Sequence, residues 1–411
     1  MLVIALGSLA CESTTCVEEG SIWLEPPASA FTVCGDLMVT GRRADELEVL
    51  QRLEAVEGSL VVVTNPELTK FLALPVLARI GGSLSISNNV KLVNIDGFPS
   101  LVNIGGGVYV GENPALTTFV LGDALKTGHS LFLALNPRLS EFRCSLVELE
   151  DDLTVSDNDA LEVLELPALT AVAGNFDVSY NTALRDLQFP VLRSIGGAWN
   201  IQYNWNLGVL AGFPSLVEAA QIEVSQNPRL SELTLTGALT GCEKISILSN
   251  QGLERIYAEP DVEFSEVTEI GVTSNISLKV VQGFAGVTAL ENMTLEGNTQ
   301  LGEIAGFASM TQVSNLRIVD NDALAGPDGW FESLKYAGSV SIYKNQSLPP
   351  SRVDTLLSHL TVDGATRIGD NKGEDTALDP CPWPVDRICD AEGGYGSGTG
   401  LCASDPEDCG T

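Results

Sequence analysis

The chain has 411 residues, 44% of them hydrophobic, and carries 54 acidic against 22 basic residues for a net charge of −32. That balance argues against nucleic acid or an anionic membrane surface as a partner, because both repel a polyanion. Only two histidines occur, His129 and His359, each alone in its segment, and no phosphate loop, nucleophile elbow or dinucleotide fingerprint is present.

In chain order, the apolar run from Met1 to Ala10 ends at Cys11 and resembles the lipobox of a bacterial lipoprotein. Ser8 stands where an apolar residue is expected, and the usual basic leader is missing. Residues 1–11 are therefore expected to be a signal peptide with lipidation at Cys11, placing the protein in the bacterial cell envelope, at the outer membrane or outside it. A plain signal peptide cleaved nearby is the rival, since so short a run cannot span a bilayer. Residues 12–36 form an N-terminal cap in which Cys16 and Cys34 flank the first coil, and an exporting compartment permits a disulfide between them.

From residue 37 to 348 one pattern dominates. Asn-x-x-Leu recurs thirteen times, its Asn at 65, 89, 113, 136, 158, 181, 204, 227, 250, 275, 298, 321 and 345, with spacings of 22 to 25 residues. Self-similarity at such a period marks a solenoid, in which each coil buries its apolar face against its neighbours. Five and three residues before each Asn stand apolar residues, such as Leu60 and Val62, Leu84 and Ile86, or Ile245 and Ile247. Apolar residues two apart with mostly polar neighbours predict a short strand with one buried face. A Leu follows each Asn at the third position, and an apolar residue at the sixth until Pro327 breaks that column. Apolar-Pro steps at Leu74-Pro75, Phe98-Pro99, Leu166-Pro167, Phe189-Pro190 and Phe213-Pro214 suit corners. Gly82, Gly174 and Gly197, seven before the next Asn, are read as tight turns.

The expected fold is all-β, a single continuous right-handed parallel β-solenoid of about 14 coils with a period of about 23 residues. At about 4.8 Å per rung it would be a rod on the order of 65 Å long. The repeated Asn is expected to bond backbone at a corner and stack into a ladder. Residues 349–372 should add a capping helix and last rung, with Val353, Leu356, Leu357 and Leu360 on one stripe behind Pro350 and Ser351.

The coil from Ile80 to Leu92, followed by Ile95, Phe98-Pro99-Ser100-Leu101 and Ile104-Gly105, resembles the receptor L domain. That resemblance spans roughly residues 35 to 372 and implies a rigid surface for protein or glycan contacts. An ordinary leucine-rich repeat differs, because its next Leu comes two after the Asn and a helix often follows. Unlike the receptors, this array runs without a Cys-rich spacer, so a hormone-receptor role does not carry over.

Tyr180 and Tyr203 occupy the same position on successive rungs, Trp205 lies on the other side of Asn204, and Asn200 and Gln202 share a strand. Exposed aromatics with amide neighbours suit a sugar or protein contact, and stacked aromatics also stabilise a solenoid with no ligand at all. The Asp-Asn-Asp triplets at 157–159 and 320–322 flank ladder asparagines and read as solvated corners. Outward residues Ser85, Tyr109, Phe132, Thr154, Asp177 and Glu223 are mixed, which excludes the Thr ladder of an ice-binding face. Cys144 and Cys242 lie about four coils apart, too far for a disulfide, and are expected to be unpaired thiols.

Residues 373–411 form an acidic tail with Cys381, Cys389, Cys402 and Cys409, too short for a core and expected to depend on disulfides. It resembles the small calcium-binding repeats of Notch-type receptors, which implies Asp386, Asp390, Asp405 and Asp408 as Ca²⁺ ligands; a solvated acidic tail is the alternative. No other cofactor is expected. The functional expectation is an exported, lipid-anchored, monomeric surface protein presenting its solenoid wall to a protein or glycan, with membrane contact only through the anchor. The alternative is a β-helix enzyme acting on polysaccharide through surface carboxylates.

Overall fold

The computed structural model describes residues 16–372, apart from 26, 123, 124, 126, 238, 261, 263 and 327–329. Cys11 and the tail from 373 to 411, with its four cysteines and four candidate calcium ligands, lie outside the described residues, as does Pro327. The chain divides into two compact units, Met1–Gly174 and Asn175–Thr411. Each is a parallel β-solenoid, and together they make about fourteen turns of period about 23 residues.

In the first unit the strands Leu37–Val39, Leu60–Val63, Leu84–Ser87, Val108–Gly111, Leu131–Ala134 and Leu153–Ser156 form one parallel sheet. Their register aligns Leu60, Leu84, Val108, Leu131 and Leu153 in one inward column, and Val62, Ile86, Val110, Leu133 and Val155 in another. All ten are buried, each gaining roughly 1.5 to 3 kcal/mol from removal of its side chain from water. A second sheet stacks Lys70–Phe71, Asn94–Ile95, Thr118–Val120, Glu141–Arg143 and Val163–Glu165, and contributes Phe71, Ile95, Phe119, Phe142 and Leu164 to the same interior.

The second unit repeats the plan with longer strands. Phe176, Trp199, Ile222, Ile245, Ile270, Met293, Leu316 and Val340 align rung on rung, and the column ends at Thr366. A parallel sheet from Val209–Leu210 to Glu303–Ile304 closes another side.

Every ladder asparagine is fully buried, so its amide must find partners inside the protein. Asn89 shows how. Its Nδ2 donates to Ser87 O at 2.9 Å and to Val62 O at 3.0 Å, while its Oδ1 accepts Asn65 N–H at 3.1 Å. The same links run Asn65 to Asn158 in the first unit and Asn181 to Asn345 in the second. The ladder extends past the thirteen expected positions: Arg42 N–H begins it on Asn65 Oδ1 at 2.8 Å, and Asn371 ends it by accepting Asn345 N–H at 3.1 Å.

The spacing of Asn and Leu now has a cause. The Leu three residues on donates its N–H to the carbonyl of the same Asn, as in Leu92 to Asn89 at 3.0 Å, which closes a tight turn. Apolar-Pro corners do likewise: Leu101 N–H reaches Phe98 O at 3.1 Å, leaving Pro99 at the turn position its fixed φ favours. Gly82 and Gly174 lie at bends, and what requires them is close approach rather than positive φ, since a Cβ would meet backbone of the preceding rung, Ser59 N at 2.9 Å and Asp151 C at 3.0 Å. The left-handed residue is instead the one before each ladder Asn, from Thr64 (φ 55°) through Tyr180 and Tyr203 to Asp370.

Helical structure also exceeds the single expected helix. A helix at Glu19–Leu24 and a 3-10 segment at Ala44–Arg52 precede the second coil. Leu47 and Leu50, three apart, are its buried side chains, and Glu46 accepts Arg43 N–H at 2.8 Å at its start. The expected helix is present at Pro350–Ser358, with Val353 buried and Leu356, Leu357 and Leu360 half-buried. It lies within the last coil, because Thr361–Val362 and Thr366–Gly369 follow it and pair with Tyr336–Tyr343.

Candidate functional site

Cys16 and Cys34 form the expected disulfide, with Cα atoms 5.6 Å apart, and tie the cap to the parallel pairing of Cys16–Val17 with Phe31–Val33. Cys144 and Cys242 are each buried within their own unit and neither enters a disulfide. Burial pushes the Cys242 thiol up to about 12, against a contact from Sγ to Lys244 O at 3.6 Å.

The aromatic patch lies in the second unit, where Asn181 and Asn204 anchor two neighbouring corners. The left-handed backbone just before each ladder Asn turns Tyr180 and Tyr203 outward in register. Their rings stack at 4.4 Å with only 7° between the planes, so each shields one face of the other. Tyr180 is 46% exposed, and Trp205, just past Asn204, is 59% exposed. Asn200 and Gln202 alternate with the buried Trp199 and Ile201 on strand Ser194–Gln202 and are half-buried. The five expected residues thus fall on two consecutive rungs.

Sequence reasoning missed the polar partners around Trp205. Asn206 donates from Nδ2 to Thr182 O at 2.7 Å, and its Oδ1 accepts Arg229 Nη1 at 2.7 Å. One amide therefore bridges three rungs beside the exposed indole. A second aromatic pair, Tyr109 and Phe132, lies in the first unit with ring centroids 6.4 Å apart, and both rings are partly exposed.

Near the N-terminal cap, a cleft of about 620 Å³ is lined by Trp23, Arg42, Glu46, Gln51, Arg52 and Pro75 among others. Its cations are engaged internally: Arg42 lies over the Trp23 ring at 4.3 Å and bonds Glu46 at 3.3 Å, while Arg52 donates to Pro27 O at 2.8 Å. The Arg43 backbone N–H, with Arg42 nearby, holds the Glu46 carboxyl below its ordinary range.

His129 pairs with Glu150 at 3.2 Å on the surface. Among the described residues no group of three His, Cys, Asp or Glu side chains is placed to hold a metal ion, and no helix is long and apolar enough to cross a membrane. Most described ion pairs join neighbouring coils, as in Lys91 to Glu67, Lys279 to Glu254 and Arg317 to Glu296. Three asparagines open Asn-x-Ser/Thr triplets of the glycosylation type: Asn275 and Asn345 are buried ladder residues whose amides are committed to backbone, and Asn292 bonds Glu269 at 3.0 Å.

What these features define is a parallel β-solenoid whose interior is fixed by aliphatic columns and an amide ladder and whose outer wall carries a clustered aromatic patch. No family model, curated protein or solved structure matches the chain.

Proposed function

We propose that the protein is an exported surface-binding protein, similar to receptor L domains, whose solenoid wall engages a protein or glycan through Tyr180, Tyr203 and Trp205 with Asn200 and Gln202 beside them. Lipidation at Cys11 and a place in a bacterial envelope belong to the same proposal. The observation that carries it is the exposure of Trp205 at 59% next to a stacked tyrosine pair. An isolated surface apolar residue calls for no explanation, but a cluster of large rings left in water forgoes burial that the same rings would gain against a partner. The corners beneath are rigid, so contact orders few side chains and loses little entropy.

A glycan array and a pulldown with the intact chain test the reading. Tyr203→Ala with Trp205→Ala is expected to weaken capture while circular dichroism stays unchanged, since both side chains lie outside the core. Unchanged affinity in that double variant removes the patch. Polysaccharide turnover abolished by a single Asp or Glu substitution would replace binding with catalysis. Mass spectrometry of the mature N-terminus tests the anchor, a diacylglyceryl Cys11 being the expected species.

A further inference from the structure

The Trp205 corner sets an exposed indole between two arginine-bearing rungs. Arg185 and Arg229 lie on the two rungs flanking it, about 10 Å apart along the stack at the usual rung spacing. Both are exposed, and among the described residues neither forms an ion pair, as is also true of Arg138, Arg193, Arg255, Lys335 and Lys344.

Arg229 is aimed at the corner by its bond to Asn206 Oδ1, and a single neutral acceptor leaves its remaining donors for a ligand. The Arg185 carbonyl accepts Gly208 N–H at 3.1 Å, and the carbonyl of Gly208 accepts Ser231 N–H at 2.8 Å, which locks the three rungs together there. Gly208 has no side chain, and the nearest atom to a Cβ built on it is Arg185 O at 3.9 Å, so the middle rung is open between the two flanking arginine positions. Carboxylates lie close as well: Asp186 and Glu232 follow on the two outer rungs, and Asp177 and Glu223 flank Asn200 in the strand column, so the acid groups of a ligand are confined to the arginine side of the corner.

We infer that the Trp205 corner takes a short carboxylate-bearing saccharide, the indole lying under a sugar ring and Arg185 and Arg229 bonding its acid groups. The inference rests on the reading of Trp205 as a contact residue and specifies what it contacts. Guanidinium and carboxylate pair through charge-assisted, directional bonds, and the amides of Asn200 and Gln202 are available for hydroxyls. The net charge of −32 opposes any polyanion, but charges beyond about 8 Å are screened at physiological ionic strength. Contacts made at the corner therefore decide, and a short oligomer is favoured over a long polymer.

Calorimetry of the full chain with tetragalacturonic acid and with its neutral methyl ester separates charge from sugar. The acid is expected to bind at least about tenfold tighter than the ester, consistent with the strength of charge-assisted bonds. Arg185→Gln with Arg229→Gln should remove that preference and leave the weaker ester binding, while Trp205→Ala should lose both. Equal binding of acid and ester, still lost in Trp205→Ala, overturns the charge assignment and leaves the contact standing. Binding of both that survives Trp205→Ala overturns the contact as well. If neither oligomer binds, the saccharide inference is overturned, and the pulldown with Trp205→Ala decides separately whether the patch is used.

Discussion

If the amide ladder fixes the corners, then two adjacent asparagines should differ sharply in what they contribute. Asn88 is exposed with φ 57°, and Asn89 beside it is fully buried. In Asn89→Ala the carbonyls of Val62 and Ser87 lose a donor, and the N–H of Asn65 loses its acceptor. Ser87 O keeps the Thr64 N–H at 3.4 Å, so about two buried polar groups are abandoned, and at about 1 to 3 kcal/mol each they amount to roughly 4 kcal/mol. Asn88→Ala places an alanine in the left-handed region and should cost about 1 kcal/mol. Denaturant titrations followed by circular dichroism, with the slope unchanged, would measure both. A third variant sharpens the test: Asn89→Asp keeps the shape but turns an acceptor toward the carbonyls of Val62 and Ser87, so the folded state favours the protonated acid. Its folded pKa then lies above the unfolded value of about 3.9, and its stability relative to Asn89→Ala should rise as pH falls through that folded pKa. Costs for Asn88→Ala and Asn89→Ala within about 1 kcal/mol of each other would refute the ladder argument.

Other outcomes follow from single sites. Cys242, with its pKa pushed to about 12, should resist a thiolate-selective reagent at neutral pH until denaturant opens the core, and rapid native alkylation would contradict its burial. The Arg317 guanidinium holds the Glu296 carboxyl below its ordinary range. The stability difference between wild type and Glu296→Gln should therefore be fully present above the unfolded value of about pH 4.3 and vanish as pH falls through the lower folded pKa. A difference independent of pH would show that the pair is not coupled to folding. Thr64→Asn should stabilise the first unit by roughly 0.5 to 1 kcal/mol, because Thr64 sits at φ 55° and asparagine tolerates that region, with the gain read from the denaturant midpoint.

The interior was legible because burial imposes a period. Columns such as Leu60, Leu84 and Val108 must be apolar on every rung, and a buried amide such as Asn89 must be the same on every rung or its neighbours lose partners. Where the constraint falls on backbone alone, the sequence carried little signal. The left-handed position holds Asn88, Asp157 and Asp320 as preference dictates, but it also holds Thr64, Leu135 and Tyr180, so side chains do not reveal it. Arg42 enters the ladder through its N–H only, and Asn371 lacks the following Leu, which hid both ends. Gly82 and Gly174 were visible, but their cause was not, since approach between coils is a distance and not a pattern.

The same distinction explains why the candidate site was read only in part. Tyr180 and Tyr203 share a column, so their stacking follows from the repeat once the rungs are aligned. Arg185 is four residues past its ladder Asn and Arg229 two past its own, and Asn206 reaches one of them through a side-chain bond that no spacing rule anticipates. Outward positions answer to water on every rung and owe nothing to the period. A departure there, such as an exposed indole between two arginine-bearing rungs in a chain of net charge −32, is informative for that reason.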